Sequence, residues 1–177
     1  MSNILVVYKS KYGATEQYAE WLKEELGCEM ISADECKLKD LEAHDTIIFG
    51  GGIHAGGITG ISLIKKNFKK IQDKKLIVFA VGINVEGEKN MEDIRDINFR
   101  GKLSEVPCYL LKGAYDPNKI TGFDSFLMKQ VRKMIMKKPI IDREPQEREL
   151  VKVIDYGGNW IDKASLAPII EAVKEEI

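Results

Sequence analysis

Short apolar, β-branched runs recur along the chain at residues 4–8, 46–49, 76–81 and 106–111, each closed by glycine, proline or charge. Runs of this length with these boundaries predict strands. A weaker run at residues 28–31 follows Gly27 and predicts one more. Between the runs the period changes. Residues 14–26 carry Tyr18, Trp21, Leu22 and Leu26 at helical spacing, and residues 61–71 carry Ile64, Phe68 and Ile71 likewise. Residues 91–103 are less regular, with room for a short helix. A longer helix is expected over residues 122–138, ended by Pro139, then a surface connection over 140–148 and a terminal helix over 168–177 with Pro168 in its first turn.

Continuous apolar strands separated by amphipathic helices call for a parallel sheet covered on both faces, because each crossover carries the chain back over the sheet. The expected fold is therefore α/β, a three-layer doubly wound sandwich around a five-stranded parallel sheet, with residues 1–177 as a single domain. A chain of 177 residues, 44% hydrophobic, buries roughly 70% of its unfolded surface without disulfides or a structural metal. In such folds ligands bind at the carboxyl ends of the strands, beside the switch in strand order. That directs attention to the loops after the first, third and fourth predicted strands.

The first of these loops reads Ser10-Lys11-Tyr12-Gly13-Ala14-Thr15, a turn that delivers two hydroxyls and several amide donors to a helix start. Such a site favours a phosphate. The reading that needs no ligand has Ser10 or Thr15 capping the helix. Neither GxxxxGK[ST] nor GxGxxG is present, which disfavours a nucleoside triphosphate and a dinucleotide. The second loop holds Gly50, Gly51, Gly52, Ile53, His54, Ala55, Gly56 and Gly57, a glycine density that predicts close approach of something flat. The third holds Gly82, Ile83, Asn84, Val85, Glu86 and Gly87.

Charge narrows the partners: 27 Lys plus Arg stand against 28 Asp plus Glu, a net charge of -1, so a general nucleic-acid binder is not expected. Cys28, Cys36 and Cys108 are odd in number and widely spaced, which fits neither a disulfide framework nor a zinc site and suits a reducing, cytoplasmic setting. The first residues lack the basic start and long apolar stretch of a signal peptide. Cys28 and Cys108 are expected in the core, Cys36 and His44 at the surface, Glu86 and Glu88 solvated, and Met128, Met134 and Met136 as core gap-fillers. No metal site is expected.

Ser10, Gly13 and Thr15 resemble the flavodoxin phosphate loop, Thr/Ser-x-Thr-Gly-x-Thr, with Tyr12 in place of the middle threonine and one hydroxyl fewer. That resemblance implies non-covalent FMN. Its phosphate would lie on residues 10–15, its ring along Gly52, Ile53, His54, Ala55, Gly56 and Gly57, and its pyrimidine edge at Gly82, Ile83, Asn84 and Val85. The ring would be less bracketed by aromatic residues than in most flavodoxins, and His54 is the catalytic candidate.

Gly113-Ala114-Tyr115, residues 123–128 and residues 134–138 are similar to the menaquinone-dependent protoporphyrinogen oxidase family, which is itself flavodoxin-like. Asp155, Tyr156 and Trp160 extend that likeness. Three functions follow as expectations: an electron carrier meeting a redox partner protein, a quinone-dependent oxidase of porphyrinogen, or a flavin-free binding module. Helix 122–138 carries Lys129, Arg132, Lys133, Lys137 and Lys138. That basic face is expected to be solvated, or to meet carboxylates, a redox partner or a quinone-bearing membrane.

Overall fold

The structure, a computed structural model, describes residues 3–83 and 85–175. The chain divides into two compact units, Met1–Gly113 with Ile161–Ile177, and Ala114–Trp160. The first unit contains strands β1 (Ile4–Lys9), β2 (Glu29–Ser32), β3 (Thr46–His54), β4 (Gly57–Ile58), β5 (Lys75–Gly82) and β6 (Cys108–Lys112). Its helices are α1 (Ala14–Leu26), α2 (Leu38–Glu42), α3 (Ser62–Ile71), α4 (Glu88–Asn98) and α7 (Ala167–Lys174). The second unit contains β7 (Ala114–Tyr115), α5 (Gly122–Lys137), α6 (Pro145–Tyr156) and β8 (Gly158–Asn159).

The sheet runs β2-β1-β3-β5-β6 with every neighbour parallel, and β4 pairs antiparallel with β3. The five-stranded parallel sheet is as expected, with the strand order reversing between β1 and β3. Successive residues alternate between two apolar clusters, as a period of two requires. Leu5, Val7, Ile47, Phe49 and Val78 join Ile64 and Ile71 of α3 and Ile94 of α4 on one face. Ile4, Val6, Ile48, Ile77 and Phe79 join Tyr18 and Leu22 of α1 and Ile169 of α7 on the other. Those are the three layers.

The structure corrects several expectations. β3 does not end at Phe49: it runs through the three glycines to His54 and turns at Ala55 and Gly56 into β4, so the expected glycine loop is a β-hairpin. The irregular stretch over 91–103 is mostly helical, since α4 ends only at Asn98 and is followed by a 3-10 turn over Gly101–Glu105. His44 is buried, its Nδ1 2.6 Å from the Asp40 carbonyl oxygen, while Lys74 Nζ donates to the His44 and Glu42 carbonyls at 2.7 and 2.9 Å. α2, a five-residue helix, folds that segment inward. Cys36 is buried as well, and burial pushes its thiol up to about 11.

In the second unit β7 and β8 pair antiparallel, and α5 and α6 are joined by a bidentate pair from Arg132 to Asp155 at 2.6 and 3.1 Å. α6 lies partly where a surface connection was expected. Pro145 opens it, and a capping box between Glu144 and Glu147 secures its start. Because α5 buries only Ile135, Met134 and Met136 are exposed and fill no core gap.

Candidate functional site

Beyond Lys9 the chain turns through residues 10–13 into α1. Ser10 Oγ accepts a hydrogen bond from the Gly13 amide at 3.1 Å, and Gly13 adopts a left-handed conformation with φ 95°. A Cβ there would meet nothing within 4 Å, so glycine answers the backbone conformation and the space in front of the loop is open. The N-cap residue of α1 is Gly13, which has no side chain with which to cap it. Ser10 therefore supports the turn through the N-cap amide, and the first-turn amides of Ala14, Thr15 and Glu16 have no intrahelical acceptor. Thr15 is buried at the base of the turn.

The charges around this loop are already engaged. Lys9 pairs with Asp34, Lys11 Nζ lies 5.3 Å from the centre of the Tyr12 ring, and the Tyr8 hydroxyl donates to Glu16 at 2.9 Å. That bond to a carboxylate raises the Tyr8 pKa, with burial adding to it.

In the β3–β4 hairpin the glycines have different reasons. A Cβ on Gly50 would stand 2.0 Å from Phe79 Cζ, and one on Gly51 would stand 2.4 Å from the Thr59 carbonyl oxygen. Both are glycine because neighbouring atoms occupy that space. Gly52 differs: its Cβ would make ordinary van der Waals contact with His54 Nε2 at 3.7 Å, Thr15 Oγ1 at 3.8 Å and His54 Cδ2 at 3.9 Å. Gly52, His54 and Thr15 therefore stand together, which joins the first loop to the second.

The second and third loops also meet. A Cβ on Gly82 would stand 3.0 Å from Val85 Cγ1 and 3.1 Å from Ile53 Cδ1, and the Gly113 amide donates to the Gly82 carbonyl at 2.9 Å. Glu86 pairs with Lys112, whose ammonium holds the Glu86 carboxyl below the usual range. Asn84 lies outside the described residues. Ile83 follows β5 directly and is half-buried.

Sequence reasoning missed Asn98. It is buried at the end of α4, where its Oδ1 accepts from the Ile58 amide at 2.8 Å and its Nδ2 donates to the Gly56 and Ile94 carbonyls, each at 2.8 Å. The hairpin tip is thereby fastened to α4. Ile97 covers Gly56, its Cδ1 2.5 Å from where a Cβ would be. A cavity of about 380 Å³ lies between hairpin and helix, its lining mixed: Ile53, Val85 and Leu110 on one part, Asn90, Asp93 and Asp96 on another. Only a buried asparagine in a polar stretch of sequence could have signalled this tie.

A family model described as the flavodoxin domain matches residues 5–141. The chain belongs to the flavodoxin family. This flavodoxin domain is similar in structure to the WrbA-like flavodoxin of Agrobacterium tumefaciens, at 16% identity over 88% of this chain and 96% of that one, TM-score 0.46. It is similar to oxidised flavodoxin 1 of Bacillus cereus at 17% identity over 63% of this chain and 84% of that one, TM-score 0.45. With the Flv1 flavodiiron core of Synechocystis sp. PCC6803 it shares 16% identity over 63% of its length, spanning 30% of that core, TM-score 0.43. No curated protein matches. The family match supports no narrower likeness to protoporphyrinogen oxidases.

The donor set fits the flavin nucleotide that this family implies. First-turn amides and the hydroxyls of Ser10 and Thr15 suit a phosphate dianion, the space in front of Gly13 is open, and Gly52 brings the hairpin strand against Thr15 with only its backbone there.

Proposed function

We propose that this flavodoxin domain binds FMN non-covalently and transfers electrons through it. The observation that carries the reading is the meeting of Thr15, Gly52 and His54, which sets the start of α1, whose N-cap glycine offers no side chain, beside a glycine of the hairpin strand. When bound, FMN supplies an acceptor and donor of electrons. Ser10, Gly13, Thr15 and the amides of residues 11–15 would hold the phosphate. Gly52, Ile53 and His54, with residues 55–57 at the hairpin tip, would border the ring on one side, and Gly82, Ile83 and Val85 on another. His54 supplies the imidazole of this set, its group suited to general acid–base work.

The partner is a redox protein or a quinone, and the reducing cytoplasm is the setting that three free cysteines suit. Titration of the purified protein with FMN, followed by loss of flavin fluorescence, tests the reading. Saturable binding is expected, weakened about tenfold or more for each hydroxyl removed in Ser10→Ala and Thr15→Val, since a hydrogen bond to a charged group contributes roughly 1.5–3 kcal/mol. A folded protein that ignores FMN would leave only the flavin-free binding module.

A further inference from the structure

The second unit wears its apolar side chains on the outside. Of the ten large hydrophobic residues exposed among the described residues, eight lie within Ala114–Trp160. Phe123 is 72% exposed and Met134 68%, while Ile140 and Ile141, in the turn that follows α5, are 71% and 87% exposed. Side chains of this size lose roughly 1.5–3 kcal/mol each when left in water instead of being buried. Scattered single cases are ordinary, but a concentration in one small unit marks an interaction surface.

Charge on the same helix indicates what covers it. Phe126, Lys129, Lys133 and Lys137 recur at intervals of three and four, which places them on one face of α5. Lys129, Lys133 and Lys137 have no ion pair among the described residues. They line a hollow of about 380 Å³ together with Arg132 and Met136, and Arg132 is oriented there by its bidentate bond to Asp155. Three unpaired lysines along one hollow suit a phosphate headgroup, and exposed Phe, Met and Ile on the same helix and the turn after it suit acyl chains. Lysine stems reach along apolar surface while their ammonium groups stay at the polar level. The exposed apolar residues run from Phe123 to Ile141, before, among and after the lysines, instead of forming one block, which fits a fluid surface better than a folded partner.

We propose that the α5 face and the turn after it dock this protein on an anionic lipid bilayer. No helix of the described residues is long and apolar enough to cross a membrane, so the contact is interfacial: Lys129, Lys133 and Lys137 meet lipid phosphates, while Phe123, Met134, Ile140 and Ile141 enter the boundary of the acyl region.

Flotation of the full chain with phosphatidylcholine vesicles, with and without phosphatidylglycerol, tests this. Binding is expected only to the anionic vesicles and is expected to fall as salt rises. The triple variant K129Q/K133Q/K137Q should bind on the order of a hundredfold more weakly, at about fivefold per cation removed. Ile140→Asp with Ile141→Asp should abolish flotation, with unchanged thermal melting because both side chains are already in solvent. Failure of the folded wild type to float with anionic vesicles at low salt would overturn the proposal. So would vesicle binding that both variants retain. Self-association lost in the Asp variant without flotation would assign the surface to a second copy, and RNA or DNA binding lost in the triple variant without flotation would assign it to nucleic acid. Both overturn it. FMN titration is independent of every arm.

Discussion

Residues 50–52 look equivalent in sequence and are not equivalent in space. Gly50 yields to the Phe79 ring and Gly51 to the Thr59 carbonyl, so two of three glycines serve internal packing and only Gly52 would accept a Cβ at ordinary contact distance. Gly50→Ala forces a Cβ to 2.0 Å from Phe79 Cζ, and overpacking of this kind costs roughly 1–3 kcal/mol. Gly52→Ala meets nothing closer than 3.7 Å and should change stability by less than about 0.5 kcal/mol, while lowering affinity for FMN. Thermal melting and FMN titration of the two variants check this. Melting of both to the same lower temperature would remove the distinction. Phe79→Leu should restore part of the loss in Gly50→Ala, because the coupling is between those two side chains.

At the scale of elements, the long apolar strands were legible because burial on both faces removes polar residues from β1, β3 and β5. The hairpin was not. A run of glycine reads as loop until the partner strands are known, and only the pairing of Gly50 with both Tyr8 and Phe79 makes it a central strand. α6 escaped for a related reason: a chain rich in charge and opened by proline resembles a connection, and its single buried residue, Ile154, leaves a thin apolar signal. The first loop of the candidate site was legible from two hydroxyls and a glycine. Its supporting tie was not, because a lone asparagine in a helix carries no periodicity.

That tie makes its own prediction. Asn98→Ala removes the acceptor of the Ile58 amide and the donor to the Gly56 and Ile94 carbonyls, and each buried group left without a partner costs roughly 1–3 kcal/mol. Hydrogen exchange should quicken at Ile58 and across the hairpin while β1, whose amides pair with neighbouring strands, stays protected. Exchange that quickens equally in β1 would mean that Asn98 supports the whole sheet.

At the scale of the whole molecule, Ala114–Trp160 is an excursion in the chain whose two ends return to one atom. The Tyr18 hydroxyl donates to the Lys112 carbonyl at 2.7 Å and accepts from the Asp162 amide at 3.0 Å, so the chain leaves and re-enters the first unit within hydrogen-bonding reach of a single oxygen. Both apolar clusters draw their residues from the first unit alone, and so do all the loops of the candidate site. A short Gly-Ser link from Gly113 to Ile161, replacing residues 114–160, therefore needs to span little distance and disturbs no clustered core residue. Closing so short a gap carries a small entropic cost, and insertions bounded by close ends are those that folds tolerate losing. The shortened chain should unfold cooperatively and titrate with FMN as the full chain does, yet fail to float with anionic vesicles. Recovery of only an uncooperative, aggregating product would show that the sandwich depends on the excursion for its stability. Retained flotation would move the lipid-binding surface onto the sandwich itself.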